Sequence, residues 1–421
     1  MPRYLTSGVY VALLWLLIAP SAAQTLDLPA VLERAAKNSP ELRSAYAQVK
    51  VAEAGIKEAK LLENPQLSAE VKWPNDSSPA AQEYSLSYNI IDLFNRGGRV
   101  RTAELRREAA LQKTLTRAVE IEAAIKAAFY TVQGHAQALE EQKTLLQVAQ
   151  LQSELAQRQR DAGNIPELVL AQYQAMLLQA RTQFYDRQMA LFEARQELAR
   201  LMGEAQQSEQ IVIAAQLPDL PAAGEQTAPE LLAEAISARP DLAEIGYEVE
   251  ALQAERGQQS LLTFDGTSLG YVYERETSLE TLQGVSLSMP LPIFDRRQGE
   301  KARLDAEIER GQAERDALFQ NVTTEVKTLL VKMANARLRV EQLEQLVPLR
   351  QRILELSRQQ YNAMLVGTYQ LLDTRGDRST AVLTLADAKA DYWRARTELE
   401  RALGRSILKQ GVPFSSQENK P

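Results

Sequence analysis

Three polar residues near the start of one predicted helix have the types and the spacing to act on ions. Gln370, Asp373 and Asp377 are three and four residues apart, so a helix places them on one face. If several chains brought this face together, the carboxylates would form a ring that favours cations, as in side-chain selectivity rings. The alternative is a solvated helix face, because Arg375 and Arg378 lie close enough in sequence to neutralise the aspartates.

No other set of residues indicates catalysis or a resident metal. The only histidine, His135, lies in the middle of a long helical segment, where packing or solvent contact is the usual role. The chain has no cysteine, and its seven methionines form no close cluster, so no soft-metal site is expected. No nucleophile–base–acid set or glycine-rich phosphate loop occurs. The sequence therefore predicts a protein that is not an enzyme and carries no cofactor, and the net charge of −7 argues against nucleic-acid binding.

The elements that must position these residues occur twice in the chain. Each copy has the same order: short helix, helix, two strands, very long helix, turn, long helix. Such an internal repeat determines the overall architecture of the fold. Three pairs of segments, each pair about 200 residues apart, have corresponding sequences. They are 38–42 with 238–242, 93–96 with 293–296, and 197–203 with 398–404.

The duplication and the composition of the termini divide the chain into five parts. Residues 1–23 resemble a signal peptide, with Arg3, an apolar core and the small residues Ser21-Ala22-Ala23 before the predicted cleavage site. The first repeat is predicted at 24–203 and the second at 229–404. A linker, 204–228, separates them, and a tail, 405–421, follows. Export without a lipid-bearing N-terminal cysteine is expected.

Each repeat contains one predicted β-hairpin, at about 66–91 and 267–291, with alternating apolar and polar residues. Four strands with free edges are unstable in lipid, and transmembrane barrels begin at about eight strands, so the barrel must be shared between chains. Two chains would give a filled barrel, whereas three would give twelve strands around a water-filled pore. The residues predicted to face lipid are Leu67, Val71, Leu86, Tyr88, Leu287 and Met289.

Two stretches, 98–161 and 298–362, contain no proline or turn cluster except Pro348 and predict very long helices. A helix of about 63 residues is on the order of 95 Å long, which no compact core requires. The pair Gly97-Gly98 is interpreted as the bend between strand and helix. The helices are too polar to enter a membrane, so we expect them to project from it as a hollow tube. Each reverses at a short turn into a second long helix.

These features together resemble the TolC family of outer-membrane efflux channels. The resemblance rests on the duplicated order of helices and strands and on three segments. These are the opening segment 26–42, the turn segment 361–373 and the closing segment 398–404. The resemblance covers the chain from about Leu26 to Gly404. The amino-acid sequence of the second turn further resembles that of the heavy-metal efflux branch of the family. The fold expected is mainly α with a membrane β-barrel portion.

The resemblance implies an assembly and a function. It implies a homotrimer in the outer membrane, with a twelve-stranded barrel, lipid contact and a periplasmic helical tunnel. Its partners would be a periplasmic adaptor protein and an inner-membrane pump of the RND type, and it would be a passive conduit for heavy-metal cations or small toxic compounds. The alternative is a periplasmic adaptor or coiled-coil scaffold without a pore.

The resemblance also assigns roles to particular residues. The residues expected to contact the adaptor are those of the two turns: Gly163, Asn164, Ile165, Met364, Leu365, Val366, Gly367 and Thr368. The family's acidic constriction uses two aspartates after the second turn. Here Gln370 stands at the first position and Asp373 at the second, with Asp377 one turn further on. The constriction is therefore expected to be less acidic than usual.

Overall fold

The structure is a computed structural model. It describes residues 26–73, 75, 79–222, 227–276, 278 and 280–406. The predicted signal peptide and most of the predicted tail lie outside the described residues.

Helices and strands occur in the same order in the two halves of the chain. The long helices α3 and α7 dominate both halves, and a short 3-10 helix, Ala205–Gln210, follows the first half. In the first half the elements are α1 (Leu28–Asn38), α2 (Pro40–Lys60), β1 (Gln66–Lys72), β2 (Ala81–Asn89), α3 (Ile90–Asp161) and α4 (Glu167–Met202). In the second half they are α5 (Ala228–Ala238), α6 (Pro240–Leu262), β3 (Ser268–Arg275), β4 (Thr281–Ser288), α7 (Gln298–Asn362) and α8 (Thr368–Ala402).

The two halves also share a way of ending their last helix. Gly203 after α4 and Gly404 after α8 both adopt positive φ, 75° and 70°, which glycine reaches without strain. A Cβ on Gly203 would lie 2.5 Å from the carbonyl oxygen of Asn38, and one on Gly404 would lie 3.0 Å from that of Ala238. In each half the end of the last helix therefore packs against the junction of the two shorter helices, α1 with α2 and α5 with α6.

The four strands form one antiparallel sheet in the order β1-β2-β3-β4. Every strand pairs with its neighbour in sequence, including β2 with β3 across the two halves. The outer edges of β1 and β4 have no partner strand within the described chain. The predicted hairpins are confirmed, and the sheet is open.

The long helices pack side by side in the order α4, α3, α8, α7. A stripe of α4 that includes Leu191, Leu198 and Leu201 is buried, and so is the corresponding stripe of α8, which includes Tyr392 and Leu399. No helix in the described part of the chain is both long and apolar enough to cross a membrane.

The connection from strand to long helix differs between the two halves. The prediction that Gly97 and Gly98 form a bend is wrong. Helix α3 begins directly after β2 and continues through Gly97 and Gly98, so this pair is not a bend. In the second half Pro290 and Pro292 prevent an early helix start, and α7 begins only at Gln298, after Arg297 with φ 56°.

Candidate functional site

One face of the sheet is a continuous apolar surface. The strand register places Leu67, Leu86, Tyr271 and Val285 in one row across all four strands. The next row contains Tyr88, Leu269 and Leu287. Leu67 is 76% exposed and Val285 is 79% exposed, so nothing in the described chain covers this face. Val71 lies further along β1 on the same face, and Met289 lies one residue beyond the end of β4.

The opposite face of the sheet is polar. The hydroxyl oxygens of Ser68 and Ser85 lie 2.9 Å apart across β1 and β2. Glu70, Glu83 and Glu274 occupy one row across three strands. The Lys72 ammonium lies 3.6 Å from the Glu70 carboxylate and 3.8 Å from that of Glu83, which partly balances the row.

The two turns have the same backbone shape but different side chains. Gly163 has φ 76° in the first turn, and Met364 has φ 59° at the equivalent place in the second. This region of φ disfavours residues with a Cβ, so Met364 carries a conformational cost that Gly163 avoids. The Met364 side chain is 93% exposed and that of Leu365 is 75% exposed. The second turn therefore presents an apolar tip, whereas Gly163-Asn164 presents a polar one.

The other residues of the two turns differ in their exposure to solvent. Asn164 and Gly367 are exposed, whereas Ile165, Val366 and Thr368 are half-buried. Just inside the turns, Tyr173 of α4 stacks on Tyr369 of α8 with ring centroids 4.7 Å apart. This stack ties the ends of the two helical hairpins to each other.

The predicted constriction residues lie on the exposed face of α8, as their spacing indicates, but the two aspartates have different partners. Asp373 accepts a hydrogen bond of 2.7 Å from the amide of Gln152 on α3. Asp377 forms an ion pair of 2.9 Å with Arg350 on α7. Gln370 is exposed. A neutral partner leaves the charge of Asp373 uncompensated, whereas Arg350 offsets that of Asp377.

One of the two neighbouring cations, Arg378, binds elsewhere than the sequence interpretation expects. Arg378 makes two contacts, of 3.0 and 3.1 Å, with the Glu141 carboxylate on α3 rather than with the aspartates. Burial and the Asp373 carboxylate raise the pKa of Tyr173 above its ordinary value, which reflects the negative potential at this level of the hairpins.

Sequence reasoning missed two exposed apolar stripes, one on each outer helix. The α4 stripe follows a strict spacing of three and four residues, and the α7 stripe follows it less regularly; this spacing is the signal that could have revealed them. The α4 stripe consists of Leu168, Ala171, Ala175, Leu178, Thr182, Tyr185, Met189 and Phe192. The α7 stripe consists of Val331, Leu338, Leu346, Leu349, Ile353 and Leu356.

No cluster of three or more histidine, cysteine or acidic side chains suited to a metal ion occurs in the described ranges. The structure instead has one uncovered apolar sheet face and two long helical hairpins. Its fold is the one seen in outer-membrane channels.

Solved structures and sequence relatives agree on this class. The outer-membrane channel OprN matches with a TM-score of 0.73 and 18% identity, covering 90% of each chain. The CusC structure matches with a TM-score of 0.68 and 19% identity, covering 90% of this chain and 92% of that one. The cobalt-zinc-cadmium resistance protein CzcC of Cupriavidus metallidurans is 26% identical over 398 residues, which cover 91% of both proteins.

The sequence model of the outer membrane efflux protein family matches residues 31–204 and again 231–405. The chain belongs to this family, whose members are efflux channels of the outer membrane and not enzymes. The predicted resemblance to the TolC family is thereby confirmed. The exact bounds of the five predicted parts stay predictions.

Proposed function

We propose that three copies of this chain form a pore in the outer membrane that carries heavy-metal cations from the periplasm to the exterior. The observation that carries the proposal is the open four-stranded sheet with one uncovered apolar face. The cargo class comes from the similarity to a cobalt-zinc-cadmium resistance protein.

The sheet supports a shared barrel. In lipid, the unpaired amides and carbonyls at the edges of β1 and β4 would be costly, and pairing them with neighbouring copies removes both edges. Three copies give twelve strands, with the row of Leu67, Leu86, Tyr271 and Val285 toward lipid and the serine and glutamate face toward water.

The helices support the same assembly independently. Within the chain α3 and α8 are central, and α4 and α7 are the outer helices with one partner each among the long helices. The α4 stripe and the α7 stripe are therefore the two uncovered edges of one subunit. Packing the α4 stripe of one copy against the α7 stripe of the next buries both and closes the helices into a tube.

The acidic face of α8 is proposed as the narrowest part of this tube. Three copies of Asp373 would form a ring in which each carboxylate has a neutral partner, Gln152, and retains its charge. Asp377, paired with Arg350, contributes less, and Gln370 contributes no charge. Such a ring favours cations over anions.

The proposed partners are an adaptor protein and an inner-membrane pump. The two turns, Gly163-Asn164-Ile165 and 364–368, would receive the adaptor, since the second has an uncovered apolar tip. The pump, of the RND type, would select the cargo. We also propose removal of residues 1–23 on export and attachment to the membrane without a lipid anchor, because the chain has no cysteine.

Purified protein in detergent provides the first test of this proposal. Mass measurement should give three chains, and planar bilayers should show conductance with a cation preference. A monodisperse monomer without conductance would contradict the proposal. Deletion of the gene, with cobalt, zinc, cadmium, copper and drug tolerance compared side by side, tests the cargo: a loss of drug tolerance alone would exclude the heavy-metal assignment.

The alternative of a periplasmic adaptor or scaffold without a pore predicts a different fractionation. Such a protein would be released by osmotic shock, whereas a barrel stays with the outer membrane. Membership of the efflux channel family stands against this alternative.

A further inference from the structure

The single histidine of the chain lies where the four long helices meet. A cavity of about 300 Å³ opens at this level. Its lining includes His135 of α3, Arg187 of α4, Arg339 of α7, and Asp387 and Arg394 of α8. The four helices thus place charged groups of both signs around one imidazole.

The helices α3 and α8 touch most closely beside this histidine. A Cβ added to Gly134 would lie 2.6 Å from the Cβ of Ala390, so only glycine permits this crossing. A close backbone contact of this kind fixes the two helices against each other at one level. The crossing separates the bulk of the core from the turn ends of the hairpins.

One ion pair joins the two hairpins next to the crossing. Arg187 of α4 binds Asp387 of α8 through two contacts, of 3.0 and 2.6 Å. Arg394 also pairs with Asp391, and Arg339 lies 3.6 Å from that carboxylate. Asp387 therefore joins the two hairpins at this level, while Asp391 is engaged by cations of α7 and α8.

The imidazole of His135 is not satisfied in this arrangement. Its Nδ1 atom is buried and has no hydrogen-bond partner among the described residues. Burial and then the neighbouring Arg187 lower the pKa of His135, Arg394 lowers it further, and Asp387 opposes them only in part. The imidazole is consequently neutral at neutral pH, and a proton would introduce a cation beside two arginines.

We propose that protonation of His135 is a switch that loosens the α7–α8 hairpin from the α3–α4 hairpin and widens the turn end of the assembly. The imidazolium would compete with Arg187 for Asp387 and repel Arg187 itself. Nearer the turns, α8 is held to α3 by the part-buried contacts of Arg378 with Glu141 and of Asp373 with Gln152, and to α4 by the Tyr173–Tyr369 stack. These contacts must shift when the turn end widens. This inference rests on the proposed trimer.

The sign of the effect follows from the two states of the histidine. In the unfolded or opened chain the imidazole takes up a proton near pH 6.5, whereas in the packed junction it does so at lower pH. The packed junction therefore keeps its full stability above that ordinary value and loses it as the pH falls toward the lowered pKa.

Spin labels at the second turn can measure the widening. The chain has no cysteine, so Leu365→Cys gives one label per subunit and three in the trimer. The distance between labels in the purified trimer should lengthen between neutral and mildly acidic pH. In His135→Gln, which cannot take up the proton, it should stay at its neutral value. In Arg394→Gln, which removes a repelling cation and brings the packed pKa of His135 closer to its ordinary value, the lengthening should be smaller at each acidic pH.

The outcomes separate this inference from the proposed function. If no dipolar distance between labels is detected at any pH, the trimer itself is wrong. If the trimer gives a distance that does not change with pH, or changes equally in His135→Gln, the switch is refuted. Because the chain has one histidine, imidazole NMR of the unaltered protein is a second check, and titration at the ordinary value of about 6.5 would also refute it.

Discussion

Replacing Leu86 by arginine tests the orientation of the sheet. Leu86 lies in the middle of β2 between Leu67 and Tyr271, on the apolar face, and is 52% exposed in the isolated chain. If this face meets lipid, an arginine near the membrane midplane should cost about 2–4 kcal/mol per subunit. Since 1.4 kcal/mol is a factor of ten, the equilibrium constant for folding falls by roughly 30-fold to 700-fold for each copy.

Ser85→Arg is the matched control, because it adds the same side chain one residue away on the opposite face. With water on that side, its cost should stay within about 0.5 kcal/mol, as for ordinary surface substitutions. Three well-separated copies should make the cost of Leu86→Arg additive, at about 6–12 kcal/mol per trimer.

Denaturant unfolding in lipid vesicles gives the required free energies. Trp73, which is 79% exposed and follows β1, offers a fluorescence signal close to the sheet. Equal costs for the two arginines would show that both faces have the same surroundings. A larger cost for Ser85→Arg would reverse the orientation, and either result refutes the lipid-facing assignment.

Three further predictions concern the helices and turns. Tyr185→Glu puts a charge into the α4 stripe and should convert the trimer to monomers in size-exclusion chromatography with mass detection; a persistent trimer would mean that the α4 stripe is not the subunit contact. Asp373→Ala should reduce cation preference and block by multivalent cations in planar bilayers, and unchanged selectivity would place this carboxylate outside the pore. Cysteine at Asn164 or Leu365 should crosslink to the tip of an adaptor in cells, whereas crosslinks to neighbouring copies alone would leave the turns purely structural.

The fold could be predicted from the sequence where the local pattern and the tertiary environment agree. The alternation after Asn64-Pro65 gave the first hairpin, and the absence of turn signals gave the long helices. The start of α3 could not be predicted in this way. Two adjacent glycines indicate a bend, yet α3 passes through Gly97 and Gly98. At Gly98 the glycine instead leaves room for Gln258 of α6, which lies 2.6 Å from where a Cβ would be, and no local pattern shows this contact.

The candidate site was predictable in position but not in its contacts. Spacing placed Gln370, Asp373 and Asp377 on one face of α8. It could not show that Asp373 binds Gln152, which is 221 residues away, while Asp377 binds Arg350. Such partners depend on how α3, α7 and α8 are aligned along their length, and no local pattern encodes that alignment.

The unequal passages from strand to helix have a mechanical consequence. In the first half β2 continues into α3 without a break, so force applied to the far end of α3 reaches the sheet through a stiff rod. In the second half the segment between Ser288 and Gln298, with Pro290 and Pro292, separates α7 from β4. We therefore expect α3 to be the stiffer connection to the sheet and α7 the more flexible one. In the proposed trimer, a movement of α7 with α8 would change the width of the turn end with less force on the strands than a movement of α3 with α4.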